Sequence, residues 1–175
     1  MCCGRWRSAL RLLRLSEFET TDVGVGAGVL WPVTPVLAVD GAFTWFPEGD
    51  LDGFESQRAL ALAGVRVVGA LRNVEVFTGA RAGFLRFVER APVVCIAIFP
   101  APLNCQLAEG YTAFAGDFRG GASVDLAQEG RLRAHVEAGD LLVRYGRQAL
   151  RPGGNTTDGF ISHNLVATFG LLWRF

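Results

Sequence analysis

The chain of 175 residues has no lysine, a single methionine and little charge. Its 17 basic residues, all of them arginines, balance 17 acidic residues, and charged residues make up only 19% of the total. A net charge of zero excludes the extended basic surface that nucleic acids require and the acidic surface that cationic ligands favour. We therefore expect no nucleic-acid partner.

Long apolar runs are also absent, although half of the residues are hydrophobic. The longest run, residues 91–103, contains three prolines and is shorter than the roughly 18 to 20 residues that a membrane helix needs. Arginines at positions 5, 7, 11 and 14 interrupt the start of the chain, which excludes a secretory signal there. A membrane protein with this sequence must therefore be a closed β-barrel.

An alternation of apolar and polar side chains runs through most of the sequence. This two-residue period predicts β-strands, and it occurs in seven segments: 22–31, 35–47, 58–70, 74–87, 114–126, 131–139 and 161–175. Breaks in the period near Leu85 and Gly139–Asp140 indicate a bulge or the end of the membrane-spanning part. An even-numbered barrel requires an eighth strand, which we place at residues 6–18 because closure removes exposed strand edges.

The connections between these segments alternate in length. Residues 32–35, 71–73 and 128–130 are short, whereas 48–57, about 88–112 and 147–160 are long. This asymmetry is typical of an outer-membrane barrel, with periplasmic turns at one end and extracellular loops at the other. We expect one barrel domain over residues 6–175, a disordered N-terminus over residues 1–5, and a true signal peptide that is missing from this sequence.

Two observations predict that the apolar face points outward. Glycine and alanine are frequent on the polar face, as a narrow lumen requires. Aromatic residues concentrate towards the segment ends and resemble interfacial girdles. They are Trp31, Trp45, Phe46, Phe84, Phe87, Phe118, Trp173 and Phe175. A soluble calycin-like ligand-binding barrel, with the opposite orientation, is the alternative.

The polar face carries arginines and carboxylates in near balance. Eight strands enclose a lumen that is only wide enough for side chains, and charges buried there must pair. We therefore predict an ion-pair network and no open channel. Its expected members are Asp40, Arg66, Glu75, Arg81, Asp117, Arg119, Asp125, Arg133, His135, Glu137 and Arg174.

The final stretch, "SHNLVATFGLLWRF" (162–175), resembles the C-terminal insertion signal of bacterial outer-membrane barrels. Together with "LLRLSEFETTD" (12–22), "FTGARAGFLRF" (77–87) and "GDLLVRYG" (139–146), it makes the chain similar to the small outer-membrane β-barrel family of the OmpA transmembrane-domain and OmpX kind. The resemblance implies an all-β, eight-stranded antiparallel up-and-down barrel in the outer membrane of a Gram-negative cell. It also implies that the lipid bilayer and the barrel-insertion machinery are partners. Phe169, Leu171, Trp173 and Phe175 would form the insertion signal.

Cys95 and Cys105 lie in the longest connection. In an oxidising compartment this pair could close a loop disulfide, and two free buried thiols are the alternative. Neither histidine has a second ligand at a recognisable metal-site spacing. We therefore expect no metal and no cofactor, and a monomeric protein.

Ser162 and His163, with Asp140 or Asp158 as the acid, are the candidate catalytic residues of this sequence. Adjacent residues on a strand point to opposite faces, which is poor geometry for a nucleophile and its base. We therefore expect no catalytic residues and a structural or surface-interaction role in the cell envelope. A lipid-modifying enzyme with its site at the barrel rim is the alternative in a different functional class.

Overall fold

The computed structural model describes residues 4–15, 20–48, 50–51, 54–55, 57–87, 111–126, 131–146 and 159–174. Cys95, Cys105, Asp158 and Phe175 lie outside these residues, so the predicted disulfide stays a prediction. The strands are β1 (Arg5–Leu15), β2 (Thr20–Pro32), β3 (Leu37–Glu48), β4 (Asp50–Leu51), β5 (Phe54–Glu55), β6 (Arg58–Leu71), β7 (Val74–Phe87), β8 (Tyr111–Asp125), β9 (Leu132–Tyr145) and β10 (Phe160–Arg174).

Eight of these strands form one closed antiparallel barrel in the order β1-β10-β9-β8-β7-β6-β3-β2, while β4 and β5 pair only with each other. The predicted eight-stranded antiparallel barrel is confirmed. It includes β1, the strand that the sequence predicted from closure alone. Among the residues that the structure describes, no helix is long and apolar enough to cross a bilayer.

The two ends of the barrel differ in their connections. Residues 33–36, 72–73 and 126–131 join strands at one end, which we name the short-turn end. In the first of these turns, the Thr34 hydroxyl accepts hydrogen bonds from the backbone N–H of Val36 (3.3 Å) and of Leu37 (3.0 Å). The connections that follow β7 and β9 leave the opposite end, which we name the long-connection end.

Strand pairing is continuous where the sequence period breaks. β7 pairs with β8, and β9 pairs with β8 and β10, without a register shift near Leu85 or Gly139–Asp140. The bulge predicted there is therefore wrong. The buried side chains change from charged to apolar at these points, and this change resembles a phase break in the sequence. A register shift occurs instead between Val23 and Val25, where β2 pairs with β3.

The apolar side chains face outward. Val39, Phe169 and Leu171 are 47%, 53% and 44% exposed, whereas Asp40, next to Val39, is 1% exposed. A soluble calycin-like barrel would show the reverse arrangement, because water would face its outer wall. The structure therefore contradicts that alternative.

The aromatic residues divide between the two faces. Trp6 and Trp173 are register partners on the outer face at the short-turn end, and Phe84 packs edge to face against Phe114 on the outer face nearer the other end (6.1 Å between centroids). Phe46 and Phe87 were predicted to lie in the outer girdle. Both are buried inside the barrel, because they lie on the inward rows of their strands.

The barrel interior is layered. A cluster of buried apolar side chains, which we name the apolar layer, fills the part nearest the long-connection end, and the buried charges lie between it and the short-turn end. The layer consists of Leu13, Leu15, Phe46, Leu60, Leu62, Leu85, Phe87, Ala113, Ala115, Leu141, Val143, Tyr145 and Val166.

Two inward glycines of β2 make room for large neighbours. A Cβ atom at Gly24 would lie 2.6 Å from the Phe46 ring, and a Cβ atom at Gly28 would lie 3.0 Å from the Arg7 guanidinium. The glycine-rich stretch at residues 24–28 is therefore explained by close packing inside a narrow barrel.

The backbone conformation of Arg72, in the β6–β7 turn, can be tested by substitution. Arg72 has a φ of 54°, a conformation that costs a non-glycine residue about 1 kcal/mol or more. We expect Arg72→Gly to raise the free energy of unfolding by up to about 1 kcal/mol, measured by urea unfolding in lipid vesicles. Leu71→Gly, in the adjacent strand residue, is the control and should give no gain. Equal effects of the two substitutions would contradict this explanation.

Candidate functional site in the barrel interior

Charged side chains from six of the barrel strands meet at the centre of the barrel. We name this group the central cluster, and each of its members is at most 5% exposed. It contains five arginines, three carboxylates and one histidine: Arg7, Arg11, Arg66, Arg81, Arg119, Asp40, Asp117, Glu137 and His135. Arg7 and Arg11 were not predicted from the sequence, because the irregular pattern of β1 does not show which of its residues face inward.

Glu137 of β9 accepts more hydrogen bonds than the other carboxylates of the cluster. Arg7 Nη1 (3.0 Å), Arg119 Nη1 (2.6 Å) and His135 Nε2 (3.2 Å) lie around Oε2. Arg11 Nη2 and Arg81 Nη2 both lie 3.4 Å from Oε1. One carboxylate therefore connects strands on opposite sides of the barrel.

Asp40 of β3 is the second shared acceptor. Arg119 Nη2 donates to its Oδ2, and Arg7 Nη2 lies 3.4 Å from its Oδ1. Arg81 Nη1 and Arg66 Nη1 are farther away, at 3.7 and 3.8 Å. Asp117 of β8 accepts from both Nε and Nη2 of Arg81. The several donors of each guanidinium allow one arginine to bridge two carboxylates, which the single ammonium of lysine does less well.

A second group, the lower cluster, lies at the short-turn end. Arg5 Nη1 donates to Glu75 (2.9 Å), and Arg133 donates to both Glu75 and Asp125. These four residues are less buried than the central cluster. Arg174 was predicted to belong to the interior network, but it is exposed at the end of β10 and lies outside both clusters. Its position is the last in the strand, where solvent reaches the rim.

A third buried ion pair lies beside the apolar layer. Arg58, at the start of β6, donates to Asp22 of β2 and lies over the Phe87 ring, 5.6 Å from its centroid. Both charged residues are buried. This pair was not predicted from the sequence. Each of its residues is the first of a periodic segment, where the boundary of a strand is difficult to place.

The residues considered for catalysis are on opposite sides of the wall. Ser162 is buried inside, where its Oγ accepts a hydrogen bond from Asn164 Nδ2 (2.7 Å). His163 is exposed on the outer face, where its Nδ1 lies 2.7 Å from Asp140 Oδ2. The barrel wall therefore separates the serine from the histidine. Within the described ranges, no group of three or more His, Cys, Asp or Glu side chains could hold a metal ion.

The contribution of the central cluster to stability can be tested by substituting Glu137. Glu137→Gln removes the shared negative charge while keeping the side-chain shape, and it leaves several buried arginines without their acceptor. We expect the free energy of unfolding to fall by about 3–5 kcal/mol, measured by urea unfolding in lipid vesicles. Asp125→Asn, in the lower cluster, is the control; because Asp125 is partly exposed, its loss should be about 1 kcal/mol or less. Similar small losses for both variants would contradict the assigned importance of Glu137.

The comparisons with known proteins identify the fold. The sequence matches no family model and no curated protein. The fold is similar to the crystal structure of neisserial surface protein A, with a TM-score of 0.62 and 11% identity over 99% of this chain and 97% of that chain. It is also similar to Ail, the attachment invasion locus protein of Yersinia pestis, with a TM-score of 0.52 and 10% identity over the same shares. Together with the apolar outer face, this similarity shows that the chain has the OmpA/OmpX-like fold of the small β-barrels of the bacterial outer membrane.

Proposed function

We propose that the protein is an integral outer-membrane barrel whose interior is closed to solutes and whose long connections interact with the surroundings of the cell. The layered interior is the main support for this proposal. Its charged clusters and its apolar layer occupy the lumen, so we place the interacting surface at the ends of the barrel. The alternative of a rim enzyme has no support from Ser162 and His163, which face opposite sides of the wall.

The length of the outer apolar face fits a bilayer. The exposed apolar residues of β10 extend from Ile161 to Trp173, a distance of about 40 Å along a strand. A strand tilt of 35–45° reduces this to about 30 Å of membrane depth, close to the thickness of the hydrocarbon core. On this face Phe169, Leu171 and Trp173 are exposed, and we propose that they form the insertion signal together with Phe175. We also propose that the barrel is a monomer.

The apolar layer supports a closed interior. Leu60, Leu85 and Leu141, from three different strands, are fully buried in it. An ion on the barrel axis would have to lose its hydration to pass these side chains, because a narrow apolar constriction excludes water. The central cluster lies next to the layer, on the side of the short-turn end.

The long connections support the surface role. Residues 88–110 and 147–158 follow β7 and β9 at the same end of the barrel, whereas the opposite end has only short turns. Outer-membrane barrels place their longer loops outside the cell. The two similar structures are described as a surface protein and an attachment protein, and we propose a surface-interaction role of this general kind here.

Closure of the interior can be tested by conductance. We expect the wild-type protein in planar bilayers to show no stepwise conductance. Replacing Leu60, Leu85 and Leu141 with alanine should create small steps, because it removes the apolar side chains that block the axis. The matched control is the replacement of Leu12, Leu165 and Leu171, which face outward, with alanine. This variant should show no stepwise conductance. Steps in the wild type would overturn the closed interior.

The orientation can be tested by labelling intact cells. An epitope inserted within residues 147–158 should bind antibody on intact cells, because we place this connection outside. The same epitope inserted between Arg72 and Asn73 should bind only after the outer membrane is permeabilised. The reverse pattern would contradict the orientation, and labelling of neither site, even after permeabilisation, would contradict location in this membrane.

A further inference from the structure

The central cluster holds more positive than negative charge. Its five arginines face only three carboxylates, and a guanidinium stays protonated in proteins. The cluster therefore has an excess of two positive charges. Uncompensated charge in a low-dielectric interior costs several kcal/mol for each ion, so this excess requires an explanation.

Other described carboxylates do not compensate for the excess. In the lower cluster, Glu75 and Asp125 already pair with Arg5 and Arg133. Asp22 pairs with Arg58 at the other end. The apolar layer lies between the central cluster and the long-connection end. It therefore separates the cluster from acidic side chains on that side.

Arg66 is where the missing negative charge is most evident. It is 0% exposed, and none of its three guanidinium nitrogens has a hydrogen-bond partner in the described structure. Asp40, its nearest carboxylate, lies 3.8 Å away and already accepts from Arg7 and Arg119. The other four arginines of the cluster each donate to a carboxylate.

The neighbour of the Arg66 guanidinium is an aromatic ring, which accepts no conventional hydrogen bond. The Arg66 guanidinium lies 3.5 Å from the centroid of the Phe77 ring, and His135 stacks on that ring at 5.1 Å. A buried guanidinium is rarely left without hydrogen-bond partners, so the unpartnered nitrogens of Arg66 indicate a bound group.

We propose that the barrel interior binds a small inorganic anion of the halide class beside Arg66. The anion accepts from the free guanidinium N–H groups and halves the excess charge. A water molecule in the same place would satisfy the hydrogen bonds but would leave both positive charges uncompensated.

Anomalous diffraction tests the site directly. Crystals of the wild-type protein grown in sodium bromide should show a bromide peak within hydrogen-bond distance of the Arg66 guanidinium. Water density alone at Arg66, or bromide only elsewhere on the protein, would overturn the proposal. This experiment requires no variant, so it decides the question even if substitutions of Arg66 prevent folding.

Stability in different salts is the second test. We expect urea unfolding in lipid vesicles to give a folding equilibrium constant about tenfold higher in chloride than in gluconate at the same ionic strength, with chloride at ten times its dissociation constant. Arg66→Met should abolish this difference. Arg144→Met removes an outward, exposed arginine and should preserve it. No chloride effect in the wild type, or an equal effect in Arg66→Met, would overturn the proposal.

Discussion

The structure depends on the pairing of arginines with Glu137 and Asp40 at the centre of the barrel. These two carboxylates contact arginines from four other strands: Arg7, Arg66, Arg81 and Arg119 contact Asp40, while Arg7, Arg11, Arg81 and Arg119 contact Glu137. Because the outer face is apolar, the charged side chains point into the lumen. The lumen is only wide enough for side chains, so these charges have to pair with one another. These ion pairs therefore connect strands on opposite sides of the barrel.

The barrel interior has two kinds of layer. The charged clusters connect the strands across the axis, and the apolar layer occupies the part nearest the long-connection end. Glycines such as Gly24 and Gly28 allow these large side chains to fit. The proposed closed interior and the proposed surface role of the connections both follow from this arrangement.

The two-residue period predicted the strands and the outward orientation, because alternation reports directly which side chains share a face. It could not report how deep an inward side chain lies. Arg174 was placed inside although it lies at the rim, and the change from Arg81 to Leu85 along one inward row was interpreted as a break. In β1, leucines and arginines occur on both faces, with Arg11 buried and Arg14 exposed, so Arg7 and Arg11 became apparent only from the closed barrel.

The orientation of the wall is tested most directly by spin labels in lipid bilayers. After the native cysteines are replaced with serine, single labels would be placed at Val39, Val65 or Phe169 on the outer face and at Thr44, Ser123 or Thr168 inside. The account predicts frequent collisions with dissolved oxygen and few with a water-soluble nickel complex at the outer positions, and few collisions of either kind at the inner ones. Nickel access at the outer positions, or equal values at both sets, would contradict it.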